Sequence, residues 1–464
     1  MTDHDLIVLG GGTGNLVAAA AADAGMDTAL VERGPLGGTC LNRGCNPSKK
    51  LIHRADVAET VRHAEEFGIE ASVDGVAFAD IVDDVTATVT EEAEEKARRA
   101  RDKGNLTFHQ TEGRFVGPHE VEVDSDDGPG GDRLTAEKIV LAGGSRPMIP
   151  ASIDGTRETP YLTSDKALRL DTLPDRLVVV GGGYIAVELS HFFSQLGSDV
   201  VIVGRGDALV DREDAAIADR LTEAYREKHE LHLGFEATAI ADDGGERVVT
   251  AESEGGEEVE VRGDRLLIAT GRRPNSDVWN VSAADIATDE KEFVETDEYL
   301  RTSVDGVYAM GDIAGNYPFK HSGDKEATYV VENVVRGNEQ PVEYPGMAHA
   351  VFGSPQVASL GQTEGDLDGV DYEVGTCAYD DTALGSALRN EGGFAKVIVG
   401  SDSEVLGCHI VGPEASTMIH EVSTAVAAGA DAGLIAETIH VHPAISEVVQ
   451  GAFRDVCDVA PSGI

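Results

Sequence analysis

The chain has 464 residues, of which 84 are acidic and 37 are basic, so its formal net charge is -47. A chain of this length is too long for a single hydrophobic core and predicts roughly two to four domains. The spread of negative charge excludes nucleic acid as a partner, and because molar salt shortens the Debye length to about 3 Å, it indicates adaptation to a high-salt cytoplasm.

We expect no targeting signal at the amino terminus. It has no basic region, and no apolar run in the chain approaches the length of a membrane span. We therefore expect a soluble, cytoplasmic protein with no membrane partner. Of the five cysteines, Cys40 and Cys45 stand close together, and the other three are predicted to be buried or incidental thiols: Cys377, Cys408 and Cys457.

The first predicted unit is a strand, a glycine turn, a helix and a second strand. An apolar strand is followed by Gly10, Gly12 and Gly14, and Asn15 takes the place of a third fingerprint glycine at the start of an alanine-rich helix. The next strand ends in Glu32. Glycines let the backbone approach a pyrophosphate, and an acid about 20 residues further on accepts a ribose hydroxyl. The unit therefore predicts a dinucleotide-binding fold.

Residues 37–50 carry Cys40 and Cys45 just before a predicted helix. The helix dipole and Lys49, one turn further on, both favour the thiolate form of Cys45. The stretch therefore indicates a redox-active dithiol or disulfide. The alternatives are a structural disulfide, a zinc site and two unrelated thiols. Disulfides in the cytosol are usually catalytic or redox-sensing, which argues against a structural disulfide. A zinc site needs three or four ligands, and His53 is the one potential further ligand near the cysteines in the sequence, which argues against zinc.

The segment that follows is predicted to be helical, then extended. Residues 50–104 have helical periodicity, and the charge run within residues 80–103 fits the solvated face of a long surface helix. Short strands are predicted over 106–123, and an acidic, glycine-rich loop over 124–131. Residues 139–147 then predict a buried strand that runs into a glycine turn.

A second unit of the same kind begins near residue 177. Its strand leads into Gly181 and Gly183, and two such units imply two bound nucleotides. The following strand ends in Arg205 rather than in an acid, and Arg212 is close by. An acid there would bind the 2′-hydroxyl of NADH, whereas arginine binds a 2′-phosphate. The sequence therefore favours NADPH.

The remaining elements return to the first unit and then change character. Acidic hairpins are predicted over residues 241–263, and residues 266–274 resemble 139–147, which suggests that the chain leaves one domain and re-enters it at these places. A buried strand ends in Asp312, where an acid can hold a polyhydroxyl chain. After about residue 342 the composition changes to strands with aromatic residues, followed by a helix over 414–428.

The last motif pairs His442 with Glu447. A carboxylate that holds one imidazole nitrogen fixes the tautomer and raises basicity, which suits a general acid and base. A metal site that includes His440 is the second interpretation, but Pro443 and the lack of a third strong ligand argue against it. A capping histidine would be the default without the redox cysteines. No metal is expected.

These motifs, GGTCLNRGCNPSK, GGGYIAVE, ATGRRPN, MGD and HPAISE with two glycine fingerprints, together resemble the class I FAD-dependent pyridine nucleotide–disulfide oxidoreductases. The resemblance covers essentially the whole chain. It implies an α/β fold with two Rossmann-like dinucleotide-binding domains, for FAD and NAD(P), and a C-terminal α+β dimerisation domain. It assigns residues 1–149 and 275–339 to FAD, 150–274 to NADPH and 340–464 to dimerisation. It also implies a homodimer in which His442 acts on the partner's disulfide.

The resemblance also implies residue roles. Cys40 would attack the substrate, and Cys45 would be the charge-transfer thiol beside the flavin. Lys49 would pair with Glu188 beside the flavin N5, and Tyr184 would gate the nicotinamide pocket. The predicted contacts with FAD and NADPH are Gly10, Gly12, Gly14, Asn15, Glu32, Gly38, Thr39, Lys49, Gly113, Ser145, Gly181, Gly183, Tyr184, Ile185, Arg205, Arg212, Gly271, Arg272, Asp312 and Lys320.

Within the family, several residues bear on the substrate. Arg205 argues against dihydrolipoyl dehydrogenases, whose second nucleotide strand typically ends in an acid, and a lone Cys457 argues against mercuric reductases, which end in a cysteine pair. Asn15 resembles the form seen in mycothione reductases. Arg43 and Asn46 are expected to place polar groups near the substrate mouth, where a disulfide that bears carboxylates can bind.

The expected activity is NADPH-dependent reduction of a low-molecular-weight disulfide. The favoured substrate is bis-γ-glutamylcystine, because archaea of saturated brine use γ-glutamylcysteine in place of glutathione and the composition indicates such a habitat. The main alternative is a dihydrolipoyl dehydrogenase of a 2-oxoacid complex, which runs in the opposite direction with NAD. Mycothione, glutathione and mercuric reductases and a non-catalytic flavin-binding subunit are the others.

Overall fold

The computed structural model describes residues 2–125, 128–389 and 392–459. Its strands are β1 (Thr2–Leu9), β2 (Thr28–Val31), β3 (Leu106–His109), β4 (Gly113–Gly117), β5 (Glu120–Ser125), β6 (Gly128–Leu141), β7 (Ser145–Pro147), β8 (Arg176–Val180), β9 (Asp199–Gly204), β10 (Glu230–Leu233), β11 (Phe235–Asp243), β12 (Glu246–Ser253), β13 (Glu258–Gly263), β14 (Arg265–Ile268), β15 (Arg272–Pro274), β16 (Val307–Ala309), β17 (Ala348–Val351), β18 (Val357–Gly361), β19 (Tyr372–Ala378), β20 (Phe394–Gly400) and β21 (Val405–Val411). Its helices are α1 (Gly14–Asp23), α2 (Gly38–Arg43), α3 (Cys45–Arg62), α4 (Phe78–Asp102), α5 (Ser164–Ala167), α6 (Tyr184–Leu196), α7 (Ala215–Lys228), α8 (Lys320–Val330), α9 (Ala383–Ala387), α10 (Ala415–Ala427), α11 (Ala432–Glu437) and α12 (Glu447–Val456).

The first nucleotide unit is a seven-stranded sheet in the order β3-β2-β1-β6-β5-β4, with β16 beside β6. Strands β1, β2, β3, β6 and β16 pair in parallel, and β4, β5 and β6 form antiparallel hairpins. The side chains from Leu6 to Leu9 are fully buried, because a parallel strand covered on both faces needs a continuous apolar run. Helix α1 connects β1 to β2, as the glycine turn predicts.

The second nucleotide unit is a four-stranded parallel sheet in the order β10-β9-β8-β14. Helices α6 and α7 pack on one face through Phe192 and Leu221. The antiparallel meander β11-β12-β13 covers the other face, where Val249 packs against Val178 and Val201. The structure therefore repeats the same nucleotide-binding architecture that the two glycine motifs predict.

A two-stranded ribbon marks the crossings between the two units. Strand β7 pairs antiparallel with β15, with Pro147 opposite Arg272 and Ser145 opposite Pro274. These strands lie in the two stretches whose likeness suggested an exit and a return of the chain. Strand β7 ends at Pro147 and β15 ends at Pro274, and the domain boundaries after residues 149 and 274 stay predictions.

The C-terminal part is a five-stranded antiparallel sheet in the order β17-β18-β21-β20-β19. Helices α10, α11 and α12 pack on it through one apolar core that includes Met418, Ile435 and Phe453. Helix α10 agrees with the helix predicted over residues 414–428. This sheet forms one wall of the cavity described below. No helix among the described residues is both long and apolar enough to span a membrane.

The prediction of a loop over all of residues 124–131 is wrong. Strand β5 continues to Ser125 and β6 begins at Gly128, and these two residues pair. A Cβ atom at Gly131 would lie 2.0 Å from the carbonyl oxygen of Val123, so glycine here permits strand pairing rather than a turn. Residues 126–127, at the centre of the predicted loop, lie outside the described residues.

Candidate active site

The two glycine turns have the same geometry. Gly10 has φ +104°, and a Cβ there would lie 2.2 Å from the carbonyl oxygen of Ala142. Gly181 has φ +129°, and a Cβ there would lie 2.3 Å from the carbonyl oxygen of Ala269. Only glycine fits either position. Each turn leads into a helix N-terminus, which favours the negative charge of a phosphate group.

Both turns open into one cavity of about 3440 Å³. This volume is several times the roughly 300–1000 Å³ of a site for one small ligand, so the cavity has room for two nucleotides. Residues from both nucleotide units and from the C-terminal sheet line it. Every predicted cofactor contact lines it except Gly14 and Asn15, and every predicted catalytic residue lines it except His442 and Glu447.

Gly14 has a packing role in the structure. A Cβ there would lie 2.9 Å from the side chains of Val8 and Ala142, so glycine lets α1 pack closely against the sheet. Asn15 is half-buried and does not line the cavity. The close helix–strand contact therefore occurs at Gly14, one position before the residue that departs from the fingerprint.

Glu32 is held by backbone amides at the end of β2. Its Oε2 accepts a hydrogen bond from the N–H of Gly11 at 2.7 Å, and its Oε1 accepts one from the N–H of Gly34 at 2.8 Å. The carboxylate is buried but still lines the cavity. Each carboxylate oxygen has a further lone pair, so Glu32 can also accept a hydroxyl of a ribose.

The two cysteines are brought to the cavity by a tight glycine turn. Gly37 and Gly38 have φ values of +111° and +63°, and a Cβ at Gly38 would lie 2.6 Å from the Cα of Gly12. The cysteine segment thus rests directly on the first nucleotide turn. Cys40 lies in α2, and Cys45 is the first residue of α3, as the sequence predicts.

The two thiols of the pair differ in pKa. The hydrogen bond from Cys40 lowers the pKa of Cys45 to about 6, against the effect of burial, and Lys49 lowers it further while Glu188 raises it. The same hydrogen bond, together with burial, raises the pKa of Cys40. Asn46 Oδ1 lies 3.6 Å from the Cys40 sulfur. In the reduced pair the proton therefore resides on Cys40 and the thiolate on Cys45.

Lys49 and Glu188 form an ion pair between α3 and α6. The Lys49 Nζ lies 2.7 and 2.6 Å from the two oxygens of Glu188, whose side chain is buried. The backbone N–H of Phe352 donates to Glu188 at 3.1 Å, and its ring lies 4.8 Å from the Lys49 Nζ. The pair is thus fixed by three segments of the chain and lies one helical turn beyond Cys45.

Ser145, Arg272 and Asp312 form a network where the ribbon meets the first sheet. The Ser145 hydroxyl donates to Asp312 Oδ2 at 2.5 Å, and Arg272 donates to the hydroxyl and carbonyl oxygens of Ser145 at 2.8 and 2.7 Å. Asp312 follows β16 and lines the cavity. Gly113, on β4, and Gly271 line the same cavity.

Arg205 and Arg212 stand at the end of β9 and in the loop before α7. Both are exposed and line the cavity. Among the described residues, no carboxylate forms an ion pair with either guanidinium. In a chain with 84 acidic residues and 37 basic ones, two arginines without acidic partners beside a nucleotide turn are available for a phosphate.

Lys320 lines the cavity and acts electrostatically on Cys40. It is the first residue of α8 and forms an ion pair with Asp324, one turn further on. The charge of Lys320 lowers the pKa of Cys40, although the hydrogen bond to Cys45 and burial outweigh it, and Asp324 acts in the opposite direction. The predicted contact between Lys320 and a cofactor stays a prediction.

Arg43, at the end of α2, lies close to the loop after β2. A Cβ at Gly34 would lie 3.4 Å from its Nη2 atom, and the Arg43 charge acts on Asp165 and Arg272. Its guanidinium therefore faces the first nucleotide unit, while Arg43 also lines the cavity that contains the cysteine pair. Its place at the substrate mouth stays a prediction. Asn46 does lie at the cysteine pair, as expected.

His442 and Glu447 form the predicted pair outside the cavity. The His442 Nδ1 lies 2.9 Å from Glu447 Oε1, and the N–H of Ala444 donates to Glu447 Oε2 at 3.0 Å. Slight burial raises the pKa of Glu447, but these two hydrogen bonds outweigh it and lower that pKa. The His442 side chain is 71% exposed. The imidazole Nε2 is thus left available on the surface of the chain.

Sequence reasoning missed two cavity residues, His349 and Phe319, and the buried Glu213 beside them. The Tyr184 hydroxyl donates to Glu213 and lies 3.0 Å from the His349 Nε2. The Phe319 ring stacks on His349. Tyr184 and Ile185 begin α6 as predicted, but their partners come from separate segments with no motif that could identify them.

One group of potential metal ligands lies away from the cavity. Single ligand atoms of Asp56, Glu59 and His191 lie within 4.8 Å of one another. The Lys228 Nζ lies 2.8 Å from Glu59, and His191 Nε2 lies 2.8 Å from Asp56. The acids already have cationic or hydrogen-bonding partners, so the group is explained as packing between α3, α6 and α7.

Comparison with known proteins agrees with this geometry. Residues 4–339 match the family described as pyridine nucleotide-disulphide oxidoreductase, and residues 347–453 match its dimerisation domain. The chain is 34% identical to dihydrolipoyl dehydrogenase 3 of Haloarcula marismortui, with 99% of this chain and 98% of that protein covered. It is also 34% identical to mycothione reductase of Mycobacterium tuberculosis, with 97% and 99% covered.

Among solved structures, the chain is similar to the HOCl-induced flavoprotein disulfide reductase RclA from Escherichia coli. The TM-score is 0.84 and the sequence identity 26%, with 97% of this chain and 99% of that chain covered. The similarity therefore extends over both nucleotide units and the C-terminal sheet.

Proposed function

The chain belongs to the pyridine nucleotide-disulphide oxidoreductases, and from this premise we propose that it is an NADPH-dependent flavoprotein disulfide reductase acting through Cys40 and Cys45. The observation that carries the proposal is the common cavity, which joins the cysteine pair, the Lys49–Glu188 pair and both glycine turns. A dithiol that is placed between two nucleotide sites suits two-electron transfer from a nicotinamide to a disulfide.

The residues present fit FAD in the first unit. The family implies FAD and a pyridine nucleotide, and bound FAD supplies two-electron transfer between the nicotinamide and the cysteine pair. The turn at Gly10 and Gly12 would face the pyrophosphate, Glu32 would accept the ribose hydroxyls, and Asp312 would hold the ribityl chain. Lys49, oriented by Glu188, would place a positive charge beside the reactive ring and the Cys45 thiolate.

The cysteines then carry the exchange with the substrate. His442 takes the proton of Cys40, and the Cys40 thiolate attacks one sulfur of the disulfide, which forms a mixed disulfide and releases the first thiolate. That thiolate takes the proton back from His442. Cys45 attacks the Cys40 sulfur, which re-forms the Cys40–Cys45 disulfide and releases the second half of the substrate as a thiolate, protonated from solvent. The hydride of NADPH supplies two electrons and one proton, which reopen the pair as the Cys40 thiol and the Cys45 thiolate. Together with the one proton taken from solvent, each cycle therefore yields NADP⁺ and two thiols.

The acid–base pair would come from a second copy of the chain. His442 does not line the cavity of its own chain, yet its Nε2 is exposed and its tautomer is held by Glu447. The match of residues 347–453 to a dimerisation domain supports a homodimer. We propose that dimerisation brings the partner's His442 to the mouth at Cys40.

The choice of NADPH rests on Arg205 and Arg212. Both line the cavity at the second nucleotide unit, and no acid occupies the end of β9. Arginine can bind a 2′-phosphate through paired charge-assisted hydrogen bonds, whereas an acid would repel it. Within the part of the chain that the structure describes, neither arginine forms an ion pair with an acid, which supports this assignment in so acidic a chain.

For the substrate we propose bis-γ-glutamylcystine, which carries several carboxylates. The acidic composition supports a high-salt habitat, and Lys320 adds a positive charge beside Cys40. The second candidate function is dihydrolipoyl dehydrogenase. It is favoured by relatives with that name in Haloarcula marismortui and Haloferax volcanii, 34% and 36% identical to this chain.

Steady-state turnover in molar potassium chloride tests these proposals. NADPH and NADH are each supplied with bis-γ-glutamylcystine, glutathione disulfide or lipoamide. Oxidation of NADPH that depends on bis-γ-glutamylcystine is the expected result. A preference for NADH with turnover of lipoamide alone would overturn it in favour of the dehydrogenase.

A further inference from the structure

We propose that Glu213 and His349 are positioning residues that hold the Tyr184 ring where the nicotinamide enters the cavity. The inference rests on the proposed function and on the role that the family resemblance implies for Tyr184 at the nicotinamide pocket. It assigns a role to two residues that no sequence motif marks. We call the contacts of Glu213 and His349 with the Tyr184 hydroxyl the tether. It acts through Tyr184, so neither residue needs to touch the reacting atoms.

The first observation is the number of donors that converge on one carboxylate. The Glu213 side chain is only 2% exposed. Its Oε1 accepts a hydrogen bond from the Tyr184 hydroxyl and lies 2.8 Å from His349 Nε2, and its Oε2 accepts one from the Ser359 hydroxyl at 2.5 Å. A buried carboxylate with three donors is held firmly, because losing any donor leaves buried charge unsatisfied.

The protonation states fit these hydrogen bonds. Burial raises the pKa of Glu213, but the hydrogen bonds from His349, Ser359 and Tyr184 outweigh it and lower that pKa. Burial and the neighbouring Glu213 charge raise the pKa of the Tyr184 phenol. Glu213 is therefore the acceptor and Tyr184 the donor over the working pH range.

The second observation is a row of stacked rings that extends from Tyr184. The Tyr184 and His349 centroids are 5.8 Å apart with planes at 21°, and those of His349 and Phe319 are 5.1 Å apart at 11°. His321 continues the row at 5.5 Å from Phe319. All four residues line the cavity. Tyr184 is thus restrained through its hydroxyl and on its ring face.

The third observation is that the tether joins two parts of the chain. Glu213 stands just before α7 of the second nucleotide unit, whereas His349 and Ser359 lie on β17 and β18 of the C-terminal sheet. The adjacent Asp214 is fixed to the same sheet, with both oxygens 2.7 and 2.8 Å from the Lys396 Nζ. The loop that carries Glu213 therefore cannot move without breaking this buried ion pair.

A freely rotating Tyr184 ring would occupy space that the nicotinamide needs. When the ring is already held in place, nicotinamide binding does not have to order it, which favours affinity. We expect Glu213→Gln and Tyr184→Phe each to weaken NADP⁺ binding about tenfold, because a ring that must first be placed reduces apparent affinity. The double variant is expected to bind NADP⁺ as tightly as the single variant with the lower affinity, since both changes break the same contact.

The experiment is an equilibrium titration of the FAD-loaded dimer with NADP⁺, NAD⁺ and 2′-phospho-ADP. The last compound lacks nicotinamide, so its dissociation constant is expected to stay unchanged in every variant. Glu227→Gln, at an exposed position of α7, is the matched control and is expected to bind all three compounds like the wild type. His349→Gln provides a second route to the same loss, should Glu213→Gln fail to fold.

Two results would overturn the tether. One is an unchanged NADP⁺ constant in both Glu213→Gln and His349→Gln, and the other is an equal loss for 2′-phospho-ADP, which would indicate general damage. Failure of the NADPH proposal is distinguishable, because it would show as tighter binding of NAD⁺ by the wild type. In that case the dissociation constant for NAD⁺ is compared between each variant and the wild type, and a ratio of these constants near one contradicts the tether.

Discussion

The cysteine pair and the His442–Glu447 pair have opposite environments in the same chain. Cys40 and Cys45 line a cavity that residues from distant segments enclose, whereas the His442 side chain is 71% exposed and lines no part of it. Fixed charges stabilise the Cys45 thiolate, and these charges belong to its own chain. An acid–base group that meets an incoming substrate can come from another chain. This difference supports our proposal that one chain builds the electron path and that two build the substrate site.

Removal of either cysteine is expected to have the largest effect. Cys40→Ser and Cys45→Ser should each lower NADPH-dependent disulfide turnover by more than about 1000-fold, because serine cannot form the mixed or internal disulfide. The measurement is NADPH oxidation with excess disulfide. Cys457→Ser, near the end of α12, is the matched control and should remain active. Turnover within tenfold of the wild type in either cysteine variant would refute the dithiol mechanism.

Removal of the exposed imidazole is expected to have the next largest effect. His442→Gln should lower kcat by about 100- to 1000-fold through the loss of the general acid and base. Reduction of the Cys40–Cys45 disulfide by NADPH should stay unchanged, because that step lies within one chain. Stopped-flow spectra of the NADPH step and steady-state turnover separate the two effects. Equal slowing of both would contradict the division of the site.

Mixed dimers test whether the two regions meet between chains. Equal amounts of Cys45→Ser and His442→Gln subunits, refolded together, should regain about a quarter of wild-type activity, because half of the randomly paired dimers contain one complete site. Neither variant alone should show this activity. Absence of recovery in verified mixed dimers would place the acid–base group within its own chain.

Charge reversal at Arg205 sharpens the comparison on the nucleotide side. Arg205→Glu should shift the ratio of kcat/KM for NADPH over NADH by about 100-fold toward NADH, because the 2′-phosphate meets repulsion and the 2′-hydroxyl gains an acceptor. Arg226→Glu, at an exposed position of α7, is the control. An unchanged ratio would remove Arg205 from nucleotide selection.

The smallest predicted effect concerns the Cys45 thiolate. Its pKa of about 6 means that the thiolate is present above this pH and is lost as the pH falls through it. Lys49→Met should raise the pKa by about one unit, because it removes a positive charge and leaves Glu188 nearby. The pH dependence of Cys45 alkylation in the reduced protein measures this shift. Lys50→Met, whose Nζ pairs with Glu92 at 3.9 Å, should leave it unchanged.

The sequence predicted the features that depend on neighbours along the chain. The turns at Gly10 and Gly181 and the helix start at Cys45 were predicted because glycine conformations, helix N-termini and apolar strands are local properties. The fold class followed from the order of these units and from the family resemblance, which also predicted the Lys49–Glu188 pair. These predictions needed residue types and spacing but no packing.

The tertiary structure decided where long side chains point and which distant residues meet. Arg43 faces the first nucleotide unit, Lys320 lies beside Cys40, and the loop expected over residues 124–131 is largely strand. Glu213 and His349 are 136 residues apart in sequence and hydrogen-bond in the fold. No local pattern encodes such a contact, because it depends on how two sheets pack and on which rotamer that packing permits.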